Sequence, residues 1–139
     1  MSSKTSLQAA EALHSGAIRV LRMVRAEDAQ AGIGPGQLSA LSVLVFAGEK
    51  TVGELAALER VQPPTMSRIV DGLVQKKLVE RVSSANDRRS VQITATPAGR
   101  KLLLAGRDRR VRALAKRFEA LTKKEVETLL AAAEIMGRI

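Results

Sequence analysis

The chain has 139 residues, of which 45% are apolar and 27% charged, a balance that fits one globular domain and argues against a disordered chain. It carries 23 Lys and Arg against 14 Asp and Glu, a net charge of +9, and a small domain that basic points to a polyanionic partner, nucleic acid or an anionic membrane face. Cys, Trp and Tyr are absent and His14 is the single histidine. That excludes disulfides, thiol redox sensing and a histidine triad, leaves too few ligands for zinc, and removes the aromatic platforms that hold single strands by stacking.

Glu11, His14 and Arg19 interrupt any apolar leader in the first twenty residues, so no secretory signal is read there. The longest uncharged run, residues 29–48, contains Pro35 and four glycines and does not read as a membrane span. The expected compartment is the cytoplasm, with no membrane partner. Charge is also unevenly placed. Residues 60–117 hold fifteen basic and four acidic side chains, a balance of +11, whereas the rest holds eight and ten, a balance of −2. A solvated charged surface is the bland explanation. An asymmetry of this size is also the electrostatic footprint expected of a phosphate-binding segment.

Taken in chain order, Leu13, Ala17, Val20 and Val24 recur at steps of four, three and four, which predicts an amphipathic helix over about residues 6–29. The glycine-rich stretch 31–36 breaks it. A second helix follows at about 37–46, with Leu38, Leu41 and Val45 inward. Thr51 and Glu54 then form a capping box that opens a short third helix, residues 52–59, expected to bury Leu55 and Leu58. Gln62-Pro63-Pro64 opens a fourth helix to about Lys76, because proline suits a helix's first position. Only a tight turn fits between Leu58 and Pro63, so the two short helices form a helix-turn-helix.

Beyond this point the period changes. Residues 78–82 and 91–95 alternate as strands do, and the polar segment 83–90 between them reads as a hairpin loop. Thr96-Pro97 caps a long helix to about Ala120 whose apolar seam is Leu104, Val111, Leu114, Phe118 and Leu121. A second capping box, Thr122 with Glu125, starts the last helix, with Leu121 and Val126 placed as a hydrophobic staple. The six cations Arg107, Arg109, Arg110, Arg112, Lys116 and Arg117 surround the seam and read as a solvated face.

A helix-turn-helix followed at once by a basic-tipped hairpin is a winged helix. Its second helix fits the major groove, and the wing can reach phosphate or the adjacent minor groove. Gln62, Pro64, Thr65, Ser67 and Arg68 lie near the start of that helix, where such helices meet base edges. Arg can pair bidentately with guanine, Gln can pair with adenine, and hydroxyls serve bases or phosphates. The helix N-terminus is expected to add free amides and a partial positive charge. At the two ends of the chain, Leu13, Val20, Val126, Leu129, Leu130 and Ala133 form apolar stripes that one winged helix cannot cover. They are read as dimerisation residues that bury each other across a two-fold axis.

The run Glu54-Leu55-Ala56, Pro63-Pro64-Thr65-Met66-Ser67-Arg68, Leu73 and Leu78-Val79-Glu80-Arg81, with the wing Asn86-Asp87-Arg88-Arg89-Ser90 and the closing Thr96-Pro97-Ala98-Gly99, resembles the MarR family of bacterial transcription regulators. The resemblance covers nearly the whole chain. It implies a single MarR-like domain over residues 1–139, mainly α with a small two- or three-stranded β wing. A winged helix-turn-helix at about 33–96 would be flanked by N- and C-terminal dimerisation helices at about 6–30 and 97–138. It further implies a homodimer on double-stranded DNA, Thr65, Ser67 and Arg68 facing the DNA, Arg89 entering the minor groove, Asp87 holding the wing's shape and Arg88 contributing charge. Lys77 stands where the family usually has Gly, and Ala95 where Leu is frequent, which leaves the local turn geometry open.

The function expected is a sequence-specific regulator, a repressor on a near-palindromic operator, with a non-specific architectural DNA-binding protein as the alternative. Release by a small anionic or aromatic effector is a family trait, although Tyr and Trp, its usual aromatic wall, are missing here. No catalytic residues, metal or cofactor are expected.

Overall fold

The computed structural model describes residues 3–83 and 90–139. Its elements are α1 (Lys4–Asp28), a 3-10 turn (Ala29–Ala31), α2 (Pro35–Ala47), α3 (Val52–Glu59), α4 (Pro63–Gln75), β1 (Val79–Ser83), β2 (Val91–Ala95), α5 (Pro97–Phe118) and α6 (Lys123–Met136). The expected hairpin tip, with Asn86, Asp87, Arg88 and Arg89, lies outside the described residues. The chain forms two compact units, one of Ala29–Arg107 and the other of Met1–Asp28 with Asp108–Ile139.

Local chemistry sets most boundaries. Gly34 is the N-cap of α2 and Pro35 its first residue, so the helix starts two residues before the expected Gln37. Proline has no amide to leave orphaned there. Both capping boxes form. Thr51 Oγ1 accepts from the Glu54 amide at 3.1 Å and Thr122 Oγ1 from the Glu125 amide at 3.2 Å, while each glutamate reaches back to the capping residue's amide. Thr96 Oγ1 accepts from the Gly99 amide at 3.1 Å and donates to the Lys77 carbonyl at 2.7 Å. One hydroxyl thereby caps α5 and ties it to the turn after α4.

In the Ala29–Arg107 unit the core is built from Leu41, Leu55, Met66, Val70, Leu73, Ile93 and Leu103, all fully buried. β1 and β2 pair antiparallel with Val79 opposite Ala95 and Arg81 opposite Ile93. Lys50 adds a one-residue third strand, its amide donating to the Ile93 carbonyl at 3.2 Å and its carbonyl accepting from the Ile93 amide at 2.7 Å. Two expectations about the core fail. Leu58 is 58% exposed, and Ala56 is buried beside Leu55 instead, because α2 and α4 cover only that side of the short α3. On α5 the buried positions are Gly99, Leu103 and Gly106; of the expected seam, Leu104 and Val111 stay exposed, while Leu114, Phe118 and Leu121 are half-buried. A glycine that lets the helix approach the Leu78 backbone selects the face, and Leu103 lies one turn beyond it.

In the other unit no residue of α1 or α6 is buried. Leu121 and Val126 are both half-buried across the α6 cap.

Candidate nucleic-acid interface

α4 divides cleanly into two faces. Met66, Val70 and Leu73 point into the core, at helical steps of four and three. Pro64, Arg68, Asp71 and Gln75 share the opposite face and are all exposed, with Thr65 and Ser67 exposed at its flanks. Gln62 is the N-cap, but its side chain makes no capping hydrogen bond and is exposed at the helix start. The expectation of several free amides there needs correcting. Pro63 and Pro64 have no N–H, and the Met66 amide is committed to the Gln62 carbonyl at 3.1 Å. Of the first turn, only the Thr65 amide is left outside the helix ladder.

The frame around α4 is held by polar contacts that the helical period does not show. In the turn before it, Arg60 adopts the left-handed conformation, φ 55° and ψ 44°, and the Val61 amide donates to the Ala56 carbonyl at 3.0 Å. In the turn after it, Lys77 is left-handed at φ 59° and the Leu78 amide donates to the Leu73 carbonyl at 3.0 Å. The turn therefore has the geometry that glycine favours, with lysine in it. Ser39 Oγ lies 2.9 and 2.7 Å from the two Glu59 carboxylate oxygens, joining α2 to α3. Lys76 Nζ donates to the Gly32 carbonyl at 2.9 Å. Asp71, the one acidic residue of α4, is ion-paired with Arg81 of β1. Sequence reading missed that pair. A lone acid on the outward face of α4 was the available sign of it.

Arg68 has no carboxylate within ion-pair distance among the described residues. Arg107, Arg112, Lys116 and Arg117 are exposed, as a solvated face requires, and Arg112 pairs with Asp108 one turn earlier at 2.8 Å. Arg109 and Arg110 depart from that reading. Arg110 is three-quarters buried and bonded to Asp28 of α1 at 2.7 Å. Arg109 is half-buried, and its Nε is enclosed with no hydrogen-bond partner among the described residues. In the same unit a cavity of about 460 Å³ is lined by Met23, Val24, Glu27, Ala113, Leu114, Lys116 and Arg117.

Of the expected dimerisation residues, Leu13, Val20, Leu129, Leu130 and Ala133 are exposed and Val126 is half-buried; Leu130 is 67% exposed. The DNA-facing expectations for Asp87, Arg88 and Arg89 fall outside the described residues. Among the described residues no helix is long and apolar enough to cross a membrane.

Comparison with known proteins places this geometry. The sequence profile described as MarR family matches residues 31–90, from the end of the 3-10 turn to the residue before β2. An uncharacterised HTH-type transcriptional regulator of Mycobacterium bovis is 34% identical over 119 residues, covering 86% of this chain and 83% of its own length. The HTH-type transcriptional repressor MdtR of Bacillus subtilis is 32% identical over 111 residues, covering 78% and 68%. Among solved structures, a MarR family protein from Bacillus stearothermophilus superposes with a TM-score of 0.83 at 24% identity, covering 99% of this chain and 96% of that one. A variant of MepR from S. aureus, solved bound to an oligodeoxyribonucleotide, gives 0.72 at 22% identity with 92% and 94% covered. With the winged helix assembled from α2 to β2 and relatives above 30% identity along most of its length, the chain belongs to the MarR family of helix-turn-helix, DNA-binding transcriptional regulators.

Proposed function

We propose that this protein is a cytoplasmic homodimeric repressor that reads a near-palindromic double-stranded operator with α4 in the major groove. The observation that carries the reading is the outward face of α4, where Arg68 stands exposed among Pro64, Thr65, Ser67 and Gln62, with no carboxylate partner among the described residues. In this reading Arg68 meets a guanine edge. Gln62, Thr65 and Ser67 meet bases or phosphates, Pro64 packs against the backbone, and Arg88 and Arg89 with Asp87 work from the wing. MdtR is named a repressor and the MepR variant was solved on an oligodeoxyribonucleotide; both support the reading by similarity.

The dimer is proposed to form through α1 and α6, where no apolar residue is fully buried and Leu13, Val20, Leu129 and Leu130 are exposed. A two-fold pairing buries them and fixes the separation of the two recognition helices. The effector is proposed to be a small anion or aromatic acid. The cavity lined by Met23 and Leu114, where Lys116 and Arg117 outnumber Glu27, has the size and a net positive wall for one.

In vitro selection from a random duplex pool, followed by gel-shift titration and light scattering, tests this. The expected result is an inverted repeat with half-site centres about 10–10.5 bp apart, bound by a dimer, with affinity falling steeply in salt as counterions are released. Replacing Leu129 and Leu130 by Glu should give monomers or aggregates with little specific binding. Equal affinity for all duplexes would make the protein architectural instead, and a double variant that stays dimeric on its operator would move the interface elsewhere.

A further inference from the structure

Asp71 is the one carboxylate on α4, and it lies on the outward face that carries Arg68. Three residues apart on a helix, the two side chains are neighbours, close enough for an Arg–Asp pair to form along the helix surface. That pair is not what the structure holds. Asp71 Oδ1 is taken by Arg81 Nη2, which reaches it from β1, and Arg68 is left without a carboxylate partner among the described residues. Arg81 is fixed for this by the hairpin ladder, where it stands opposite Ile93, a fully buried anchor of the core.

We infer that Arg81 is a positioning residue that acts through Asp71: by holding the carboxylate it prevents Asp71 from capturing Arg68 and keeps Arg68 available to DNA. The inference rests on the reading of α4 as the DNA-reading helix. Two further facts support it. An unpaired carboxylate on a face presented to phosphate would repel the ligand, and Arg81 cancels that charge. The pair is also largely solvent-exposed, 42% and 59% for the two side chains. Exposed pairs contribute little to folding, so a purely structural explanation is weak.

The test compares the parent with Arg81→Met, Asp71→Asn and the double variant. Each is titrated with the selected duplex and with a scrambled one over a salt series, and thermal melts by circular dichroism verify that all four fold. Arg81→Met should lose about tenfold in affinity for the selected duplex, the size of losing one good arginine–base contact, and less on the scrambled duplex. Asp71→Asn alone should bind the selected duplex at least as well as the parent. Adding Asp71→Asn to Arg81→Met should restore affinity to within about threefold of the parent, because Arg68 then has no competitor.

Three outcomes would overturn the inference. Arg81→Met could bind like the parent, which makes the pair a surface contact only. The double variant could stay as weak as Arg81→Met, which makes Arg81 itself a DNA contact. Asp71→Asn could fall as far as Arg81→Met, which makes the pair a strut for the wing or Asp71 a base reader. A parent that does not distinguish selected from scrambled duplexes would instead refute sequence-specific reading by α4.

Discussion

Replacing Gly99 with alanine should destabilise the protein by about 3 kcal/mol, against the usual sign for such a change in a helix. Gly99 is buried in the first turn of α5. A Cβ built there would overlap the Leu78 carbonyl oxygen, approach its carbonyl carbon to 2.9 Å and meet Leu41 Cδ1 at 3.2 Å. The oxygen cannot step aside, because it accepts the Thr96 amide at 3.0 Å, and the adjoining Lys77 carbonyl accepts the Thr96 hydroxyl at 2.7 Å. The start of α5 must therefore lift away and stretch both bonds. Overpacking costs about 1–3 kcal/mol and each weakened hydrogen bond about 0.5–1.5. The sum is roughly 2–6 kcal/mol, less up to about 1 kcal/mol that alanine contributes over glycine in a helix.

Urea unfolding at fixed protein concentration is the assay, with the midpoint read at constant m-value. Gly53→Ala is the internal control. It is exposed in α3, and its Cβ would meet nothing nearer than Thr51 Oγ1 at 3.8 Å, so its midpoint should hold or rise. A Gly99→Ala protein as stable as the parent would refute the close approach of α5 to the Leu78 backbone.

Lys77→Gly should raise stability by about 0.5–1 kcal/mol, because relief of a left-handed residue, about 1–2 kcal/mol, exceeds the added entropy of the unfolded chain; the denaturation midpoint reads it directly. Thr51→Ala should cost about 1 kcal/mol by removing the oxygen that caps the Glu54 amide, and Thr51→Ser should recover most of that loss. Arg68→Ala should cost about 1–3 kcal/mol in operator affinity and relax preference at one base position per half-site, measured by repeating the selection with the variant. A uniform loss on all sequences would reassign Arg68 to phosphate.

What was legible in the sequence was whatever a few adjacent residues decide. Thr51 with Glu54, Thr122 with Glu125, and the prolines at 63 and 97 start their helices where expected, because capping and proline geometry are satisfied within one turn. The inward and outward faces of α4 follow from the same locality. The errors arise where neighbours far along the chain decide. In Leu102-Leu103-Leu104 the period alone cannot choose a face to within one residue. The stripe of Gly99, Leu103 and Gly106, at steps of four and three, was the clue, since small residues mark where a helix approaches closely. Leu58 was misplaced because an eight-residue helix has room for an apolar position that no other element covers. The pairs Asp71–Arg81 and Asp28–Arg110 depend on the angles between elements, which no local pattern encodes.

The turns at the two ends of α4 show how the fold and the site are connected. Arg60 and Lys77 are the non-glycine residues with positive φ among the described residues, and they flank the helix on which the functional proposal turns. Glycine would relieve strain of about 1–2 kcal/mol at either place. It would also remove a cation from each end of a segment whose charge balance is +11. Both side chains are exposed, so their charge is directed to solvent or to a ligand and does not repair the core. The stability to tolerate this comes from beneath the helix, where Met66, Val70 and Leu73 are fully buried and each contributes about 1.5–3 kcal/mol of burial. A buried face strong enough to anchor α4 is what permits strained, charged residues at its ends and a lone carboxylate, answered by Arg81, on the face turned outward.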